Sequence, residues 1–407
     1  MPMQRKWTLG LLLAVLTATG SVMASSRVPR EDLLFSWASD ADRKDSDFLA
    51  VIDLRTNQVV TTVPVGQSGT LAHHTDYEMP ADHTLLANDF YGNRTWLFDL
   101  SNPLAPKVRW SSSDAGPLSF AHSFARLPNR NMLATFQRGD HANSTPGGIA
   151  EFASDGRLLR WSSAADPQSH EFVRPYSLAI VPKLDRIVTT TADMGSNMPA
   201  MPNMPAMAHD AAVKNPPSRS VQIWRMSDLK LLHTLVLPAG PAGTEQNSPN
   251  EPRLLADGRT VMVGTGNCGL YRLHGLDGPK PSAEFVYALG QTGCAVPVVA
   301  GRYWVIAVQN LPGLVALDIA DPSHPREVSR LTLDPDWVPH WLSLAPDGRR
   351  LVVTGFKQMR SKILLATIDG ANGKLALTGT IDFDRTAWPH GATGAAIPHG
   401  TVFARPR

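Results

Sequence analysis

Several things are scarce in this sequence of 407 residues, and each scarcity removes a class of protein. Charge of one sign is missing: 38 Lys and Arg stand against 36 Asp and Glu, a formal +2, so no basic surface calls for nucleic acid. Beyond the first two dozen residues no apolar run is long enough to span a membrane. Sustained helical periodicity is nearly absent. With 43% hydrophobic and 18% charged residues, the chain is neither disordered, collagen-like nor coiled-coil. There is no Gly-x-Ser-x-Gly elbow, no phosphate-cradling glycine loop and no dinucleotide-binding fingerprint. Acidic pairs such as Asp40/Asp42 and Asp334/Asp336 read as turns rather than acid–base machinery.

What is present begins with an export signal. Arg5 and Lys6 precede an apolar run from Leu9 to Leu16, and Val22-Met23-Ala24 has the small-residue character of a cleavage site. Residues 1–24 are therefore expected to be a secretory signal peptide, and the periplasm the destination. Its removal takes away two basic residues and no acid, bringing the net charge close to zero.

From Leu33 onward the pattern is strand, polar turn, strand. Phe48-Leu-Ala-Val-Ile-Asp, Thr95-Trp-Leu-Phe-Asp, Val221-Gln-Ile-Trp-Arg and Leu314-Val-Ala-Leu-Asp look alike, and each is followed by a further strand. Hairpin units such as Trp341-Leu-Ser-Leu-Ala-Pro-Asp-Gly-Arg-Arg-Leu-Val-Val-Thr precede them. Four strands recurring roughly every 45 residues is the mark of a β-propeller. The units predict an all-β, seven-bladed propeller over residues 25–407, its closing blade built from both termini, with the strand after His390 joining the Leu33–Val65 region.

Aligning the units on their tight turns puts His74, His122, Tyr176, Glu251, Cys294, His340 and His390 at one shared register, six residues before the turn. Four of the seven are His in a chain with only 13 His. One position per blade should face one end of the central channel, so these imidazoles could share a copper or zinc ion, or cap strand ends through hydrogen bonds. His73, beside His74, is expected to point the other way along its strand and to orient a neighbour or lie exposed. His399 is expected to be structural. His83, His141, His170, His233, His274 and His324 are expected at the surface.

Residues 194–209 form an insertion in the fourth blade, with Met194, Met198, Met201, Met204 and Met207, prolines between them, and His209 at its end. Thioethers recurring every third residue would line one face of a polyproline II helix, a soft array suited to Cu(I). Cys268 and Cys294 either form a disulfide or, for Cys294, supply a further ligand.

The chain resembles the selenium-binding protein family, which includes the copper-dependent methanethiol oxidases. The likeness is carried by Pro29-Arg-Glu-Asp-Leu-Leu-Phe, Leu71-Ala-His-His, Phe120-Ala-His-Ser, Gly147-Gly148, Asp318-Ile-Ala-Asp-Pro-Ser-His-Pro-Arg, Leu344-Ala-Pro-Asp-Gly-Arg-Arg-Leu and Trp388-Pro-His390. The resemblance implies metal-binding roles for His73, His74, His122 and His390, while His340 rests on the repeat register alone. Ala38 stands where the family carries its selenium-associated cysteine, so selenium binding there is not expected. The implied function is a periplasmic, copper-dependent oxidase of a small thiol, turning methanethiol, oxygen and water into formaldehyde, hydrogen sulfide and hydrogen peroxide. The alternatives are a copper-binding or copper-delivery protein without turnover, which would need a copper donor as partner, and a propeller used as an interaction scaffold.

Overall fold

The computed structural model describes residues 28–89, 91–194 and 218–406. The expected signal peptide and all of the Met-rich insertion except Met194 lie outside the described residues. Within them the chain forms seven antiparallel sheets arranged as a seven-bladed β-propeller. Closure is made by the two ends of the described chain. Thr393–Phe403 pairs with Leu33–Asp40, matching Leu34 with Phe403 and Ser36 with Thr401, and Phe48–Asp53 and Gln58–Pro64 complete blade 1. A short additional strand, Asp384–Ala387, extends this sheet.

Burial follows strand position within each blade. Second and third strands such as Phe48–Asp53, Thr84–Asp89 and Tyr303–Val308 are buried along their whole length, because a neighbouring blade covers each face of the sheet. The outermost strands, such as Gln58–Pro64 and Leu158–Ser163, alternate between exposed and covered positions. The core is accordingly divided into seven apolar clusters, each lying between one pair of adjacent blades. Trp37 and Leu49 of blade 1 meet Trp96 and Phe98 of blade 2, and Ile149 of blade 3 meets Trp224 of blade 4. No blade can bury its faces alone, so the ring is the folding unit. The hairpins that set the repeat are alike in detail. In both Leu255–Thr260 and Ala345–Arg350 an Asp-Gly pair closes the turn, with Gly258 and Gly348 at φ +68° and +71°, backbone that only glycine adopts at little cost.

Inner strands surround the channel. They are Thr393–Phe403, Ala72–Thr75, Ser119–Arg126, Pro175–Val181, Pro249–Leu254, Val298–Ala300 and Trp337–Leu344. Six of the seven carry a register irregularity near the channel end: between Ala72 and Thr75, Ala121 and Phe124, Pro175 and Leu178, Pro249 and Glu251, Pro339 and Trp341, and opposite Ser36 and Ala38 for the last strand. A bulge breaks the two-residue alternation of a strand and re-aims the side chains beside it. It also loosens the link between adjacent strands, and side chains from the neighbouring blade make up the difference. Asn88 Nδ2 donates to Ala121 O, Thr135 Oγ1 to Tyr176 O at 2.8 Å, Thr190 Oγ1 to Asn250 O at 2.8 Å, and Thr354 Oγ1 to His399 O at 2.6 Å.

Candidate metal centre

The bulged positions deliver five histidines to one place. His73 and His74 stack with ring centroids 4.1 Å apart, His122 lies 4.9 and 4.3 Å from them, and His399 lies 4.6 Å from His73 and 5.0 Å from His340. His73, His74, His122 and His399 are at most 3% exposed, while His340 is only half-buried. One ring nitrogen from each of His73, His74 and His340 lies within 4.8 Å of the others. That spread is close to the ~4 Å that two metal–nitrogen bonds of about 2 Å can bridge.

The rings of His399, His122, His74 and His340 are each held through Nδ1. His399 Nδ1 lies 3.0 Å from His73 O, His122 Nδ1 lies 2.8 Å from Tyr176 O, and a carbonyl can only accept, so both Nδ1 atoms carry the proton. His74 Nδ1 lies 3.1 Å from Ser123 Oγ, and Gln309 Nε2 donates to His340 Nδ1 at 3.1 Å, which puts the His340 proton on Nε2 unless the amide turns over to present its oxygen. The opposite nitrogens, Nε2 of His74, His340 and His399, are buried with no hydrogen-bond partner. A buried polar atom left unpaired is costly, and a bare imidazole nitrogen such as His399 Nε2, opposite its proton-bearing Nδ1, is a donor that a metal would satisfy. Burial also keeps the rings neutral. It holds His122 down to about 3 and His399 down to about 4, and drives His73, His74 and His340 well below the usual histidine range, the neighbouring imidazoles adding to the effect. Neutral imidazole is the form that binds a metal, and this cluster can hold one.

The expected sites are distributed unevenly over this geometry. His74, His122 and His340 reach the cluster. His73 does too, contrary to the expectation from alternation, because the bulge between Ala72 and Thr75 turns two consecutive residues to the same side. His390 does not: it sits exposed in a short turn, its Nε2 3.2 Å from Thr61 Oγ1. The place assigned to it belongs to His399, nine residues further on and inside the final described strand, Thr393–Phe403. The chain has two Pro-His pairs near its end, Pro389-His390 and Pro398-His399, and the fold puts the second at the channel. Cys294 forms a disulfide with Cys268 between blades 5 and 6, so no thiolate is left to ligate. Met194 is the one described residue of the methionine series; its backbone N–H lies 3.4 Å from Gln137 Oε1.

Alongside the histidines lies a polar network of which the repeat register had picked out Glu251 alone. Tyr77 Oη is within 3.2 Å of Ser123 Oγ, 3.0 Å of Ser177 Oγ and 3.0 Å of Glu251 Oε2. Arg253 Nη1 donates to Glu251 Oε2 at 2.7 Å. Trp341 stacks on Tyr77 at 5.0 Å and also meets His74 at 4.8 Å, tying the network to the cluster.

No protein-family model matches the chain, and no curated protein does. Solved structures do match in shape. One is a hypothetical selenium-binding protein from Sulfolobus tokodaii, with a TM-score of 0.71 and 14% identity over 92% of this chain and 94% of that one. Another is the periplasmic gluconolactonase of Pseudomonas aeruginosa, with a TM-score of 0.63 and 11% identity over 92% and 99% of the two chains. A putative 6-phosphogluconolactonase from Bacteroides fragilis gives 0.57 and 11% over 86% and 94%. At these identities the likeness establishes the propeller fold that carries the histidine cluster.

Proposed function

We propose that this chain is an exported, copper-dependent oxidase of a small thiol. The observation that carries the reading is the set of three converging ligand nitrogens, on His73, His74 and His340, in a group of five neutral imidazoles of which four are buried. Nitrogen donors without an accompanying carboxylate suit copper better than magnesium, calcium or manganese. The resemblance of the His-His, Ala-His-Ser and neighbouring motifs to the selenium-binding proteins, and the shape shared with a structure described as one, favour methanethiol as substrate. Bound copper would supply the redox capacity, with dioxygen as oxidant.

The chain's own residues have separable tasks. His73, His74 and His340 would hold the ion, and His122 and His399 crowd the same space and exclude water from it. His73 O and Tyr176 O fix the rings of His399 and His122. His340, the half-buried member, marks the side from which a small thiol would arrive. Methanethiol, oxygen and water would yield formaldehyde, hydrogen sulfide and hydrogen peroxide. The Cys268–Cys294 disulfide supports an address outside a reducing cytoplasm.

The test is oxygen uptake by protein expressed with its leader and loaded with copper. Methanethiol-dependent uptake with peroxide release is the expected result. Stoichiometric copper without uptake would overturn the oxidase reading in favour of copper storage or delivery.

A further inference from the structure

Glu251 is fully buried and lies in the inner strand of blade 5. Its carboxylate pairs with Arg253, whose Nη1 is 2.7 Å from Oε2, and it also takes Ser177 Oγ at 2.9 Å. An ionised carboxylate accepts hydrogen bonds and donates none. Tyr77 Oη, at 3.0 and 3.2 Å from the two carboxylate oxygens, must therefore direct its single proton at Glu251. The tyrosine ring cannot turn away, because Trp341 stacks on it and the Arg253 guanidinium sits 4.2 Å from its centroid.

That choice propagates. With its proton committed, the Tyr77 oxygen accepts from Ser123 Oγ at 3.2 Å. Ser123 Oγ, its own proton directed at Tyr77, is left with two lone pairs, which accept from His122 Nδ1 and from His74 Nδ1, each at 3.1 Å. His74 is left protonated on Nδ1 and bare on Nε2, the nitrogen that has no other partner. If every donor in the chain ran in the opposite sense, the proton would sit on Nε2 and block a metal. We propose that Glu251 is a positioning residue that sets the tautomer of His74 through Tyr77 and Ser123, keeping Nε2 open as a metal ligand. The proposal rests on the metal reading for its purpose, but the tautomer itself is a property of the metal-free protein.

Two substitutions break the chain at different points. Glu251→Gln replaces an obligate acceptor by a group that can donate, which lets the chain reverse. Tyr77→Phe removes the link between Glu251 and Ser123 while leaving the Glu251–Arg253 pair intact, so it serves if the first variant fails to fold. Histidine-selective 15N spectra of metal-free protein read the tautomer directly, and Cu(II) titration against a competing chelator reads affinity. Native protein should show His74 as the Nδ1–H form. Either variant should gain an Nε2–H population and bind Cu(II) roughly 10- to 100-fold more weakly, the usual effect of losing a group that orients a ligand. An Nε2–H His74 in native protein, or an unchanged tautomer in folded Tyr77→Phe, overturns the proposal. Native protein that binds no copper yet shows the tautomer shift would overturn the proposed function and uphold the role of Glu251.

Discussion

His399 Nδ1 lies 3.0 Å from the backbone carbonyl of His73, joining the last strand of the propeller to the innermost strand of blade 2. One hydrogen bond thus spans the closure of the ring and orients a ring of the histidine cluster. Folding of the closing blade and assembly of the site are the same event.

It follows that His399 and His390 should separate cleanly in mutagenesis. His399→Ala removes a buried imidazole and the donor to His73 O, and copper content of purified protein should fall at least tenfold. His390→Ala should retain full copper, since that side chain is exposed and meets Thr61. Elemental analysis of both proteins decides it. Equal copper in the two variants would remove His399 from the site.

The contrast between these residues shows what the sequence could and could not carry. Asp257-Gly258 and Asp347-Gly348 punctuate hairpins, and the strand runs between such turns repeat, so the seven blades and their closure from both ends were legible. His74, His122 and His340 were reachable because each stands a fixed distance before a turn that follows its strand. Thr393–Phe403 is the last described strand, with no hairpin after it among the described residues, so an alignment on turns has nothing to fix His399 by and settles on His390 instead. His73 escaped because period-2 reasoning assumes an unbroken strand, and the bulge between Ala72 and Thr75 is a backbone event without a residue signature. Tyr77 sits in the connection after Ala72–Thr75, where its approach to Glu251 depends on blade 2 meeting blade 5.

Acid should destabilise the metal-free protein in a defined window. His122 and His399 are held at about 3 and about 4 in the fold, against about 6.5 for an unfolded chain. Between those limits the unfolded state binds protons that the native state refuses, so stability is complete above about pH 6.5 and is lost as pH falls towards 4. His399 alone corresponds to about 3 kcal/mol across the whole window. Buried carboxyls raised by desolvation, Glu251 and Asp89 among them, take up protons earlier when folded and offset part of this at the lower end. Thermal melts from pH 7.5 to 4.5 should show falling Tm, with a shallower fall in His399→Gln. A flat profile in native protein would mean that the rings are not neutral and buried.

Removing the disulfide should cost stability without touching the site. Cys268 and Cys294 are 26 residues apart, and a loop of that length contributes about 3 kcal/mol through the unfolded chain. Cys268→Ala with Cys294→Ala should lower Tm by several degrees yet keep native copper content, because the five histidines lie on blades 1, 2, 3 and 7. Loss of copper from a folded double variant would show that the cysteines, or the blade junction they pin, belong to the metal centre.

Truncation before Thr393 should do more than remove one imidazole from the cluster. The missing strand supplies the inner partner of Leu33–Asp40, a strand buried at every position. Without it, Leu34, Phe35 and Trp37 lose cover, and the backbone of Leu33–Asp40 is left as a long apolar edge open to pairing with another chain. The ring would also lose the apolar cluster that joins blade 7 to blade 1, where Phe403 and Ala396 pack with Ile363 and Phe383. A chain ending at Ala392 should therefore be recovered mainly as aggregate. Supplying residues 393–407 as a separate peptide during refolding should restore a soluble monomer, because strand pairing and cluster burial do not require the covalent link. Static light scattering and copper content of the refolded mixture measure both effects. A truncated chain that remains monomeric and folded would show that the propeller does not depend on closure by its final strand.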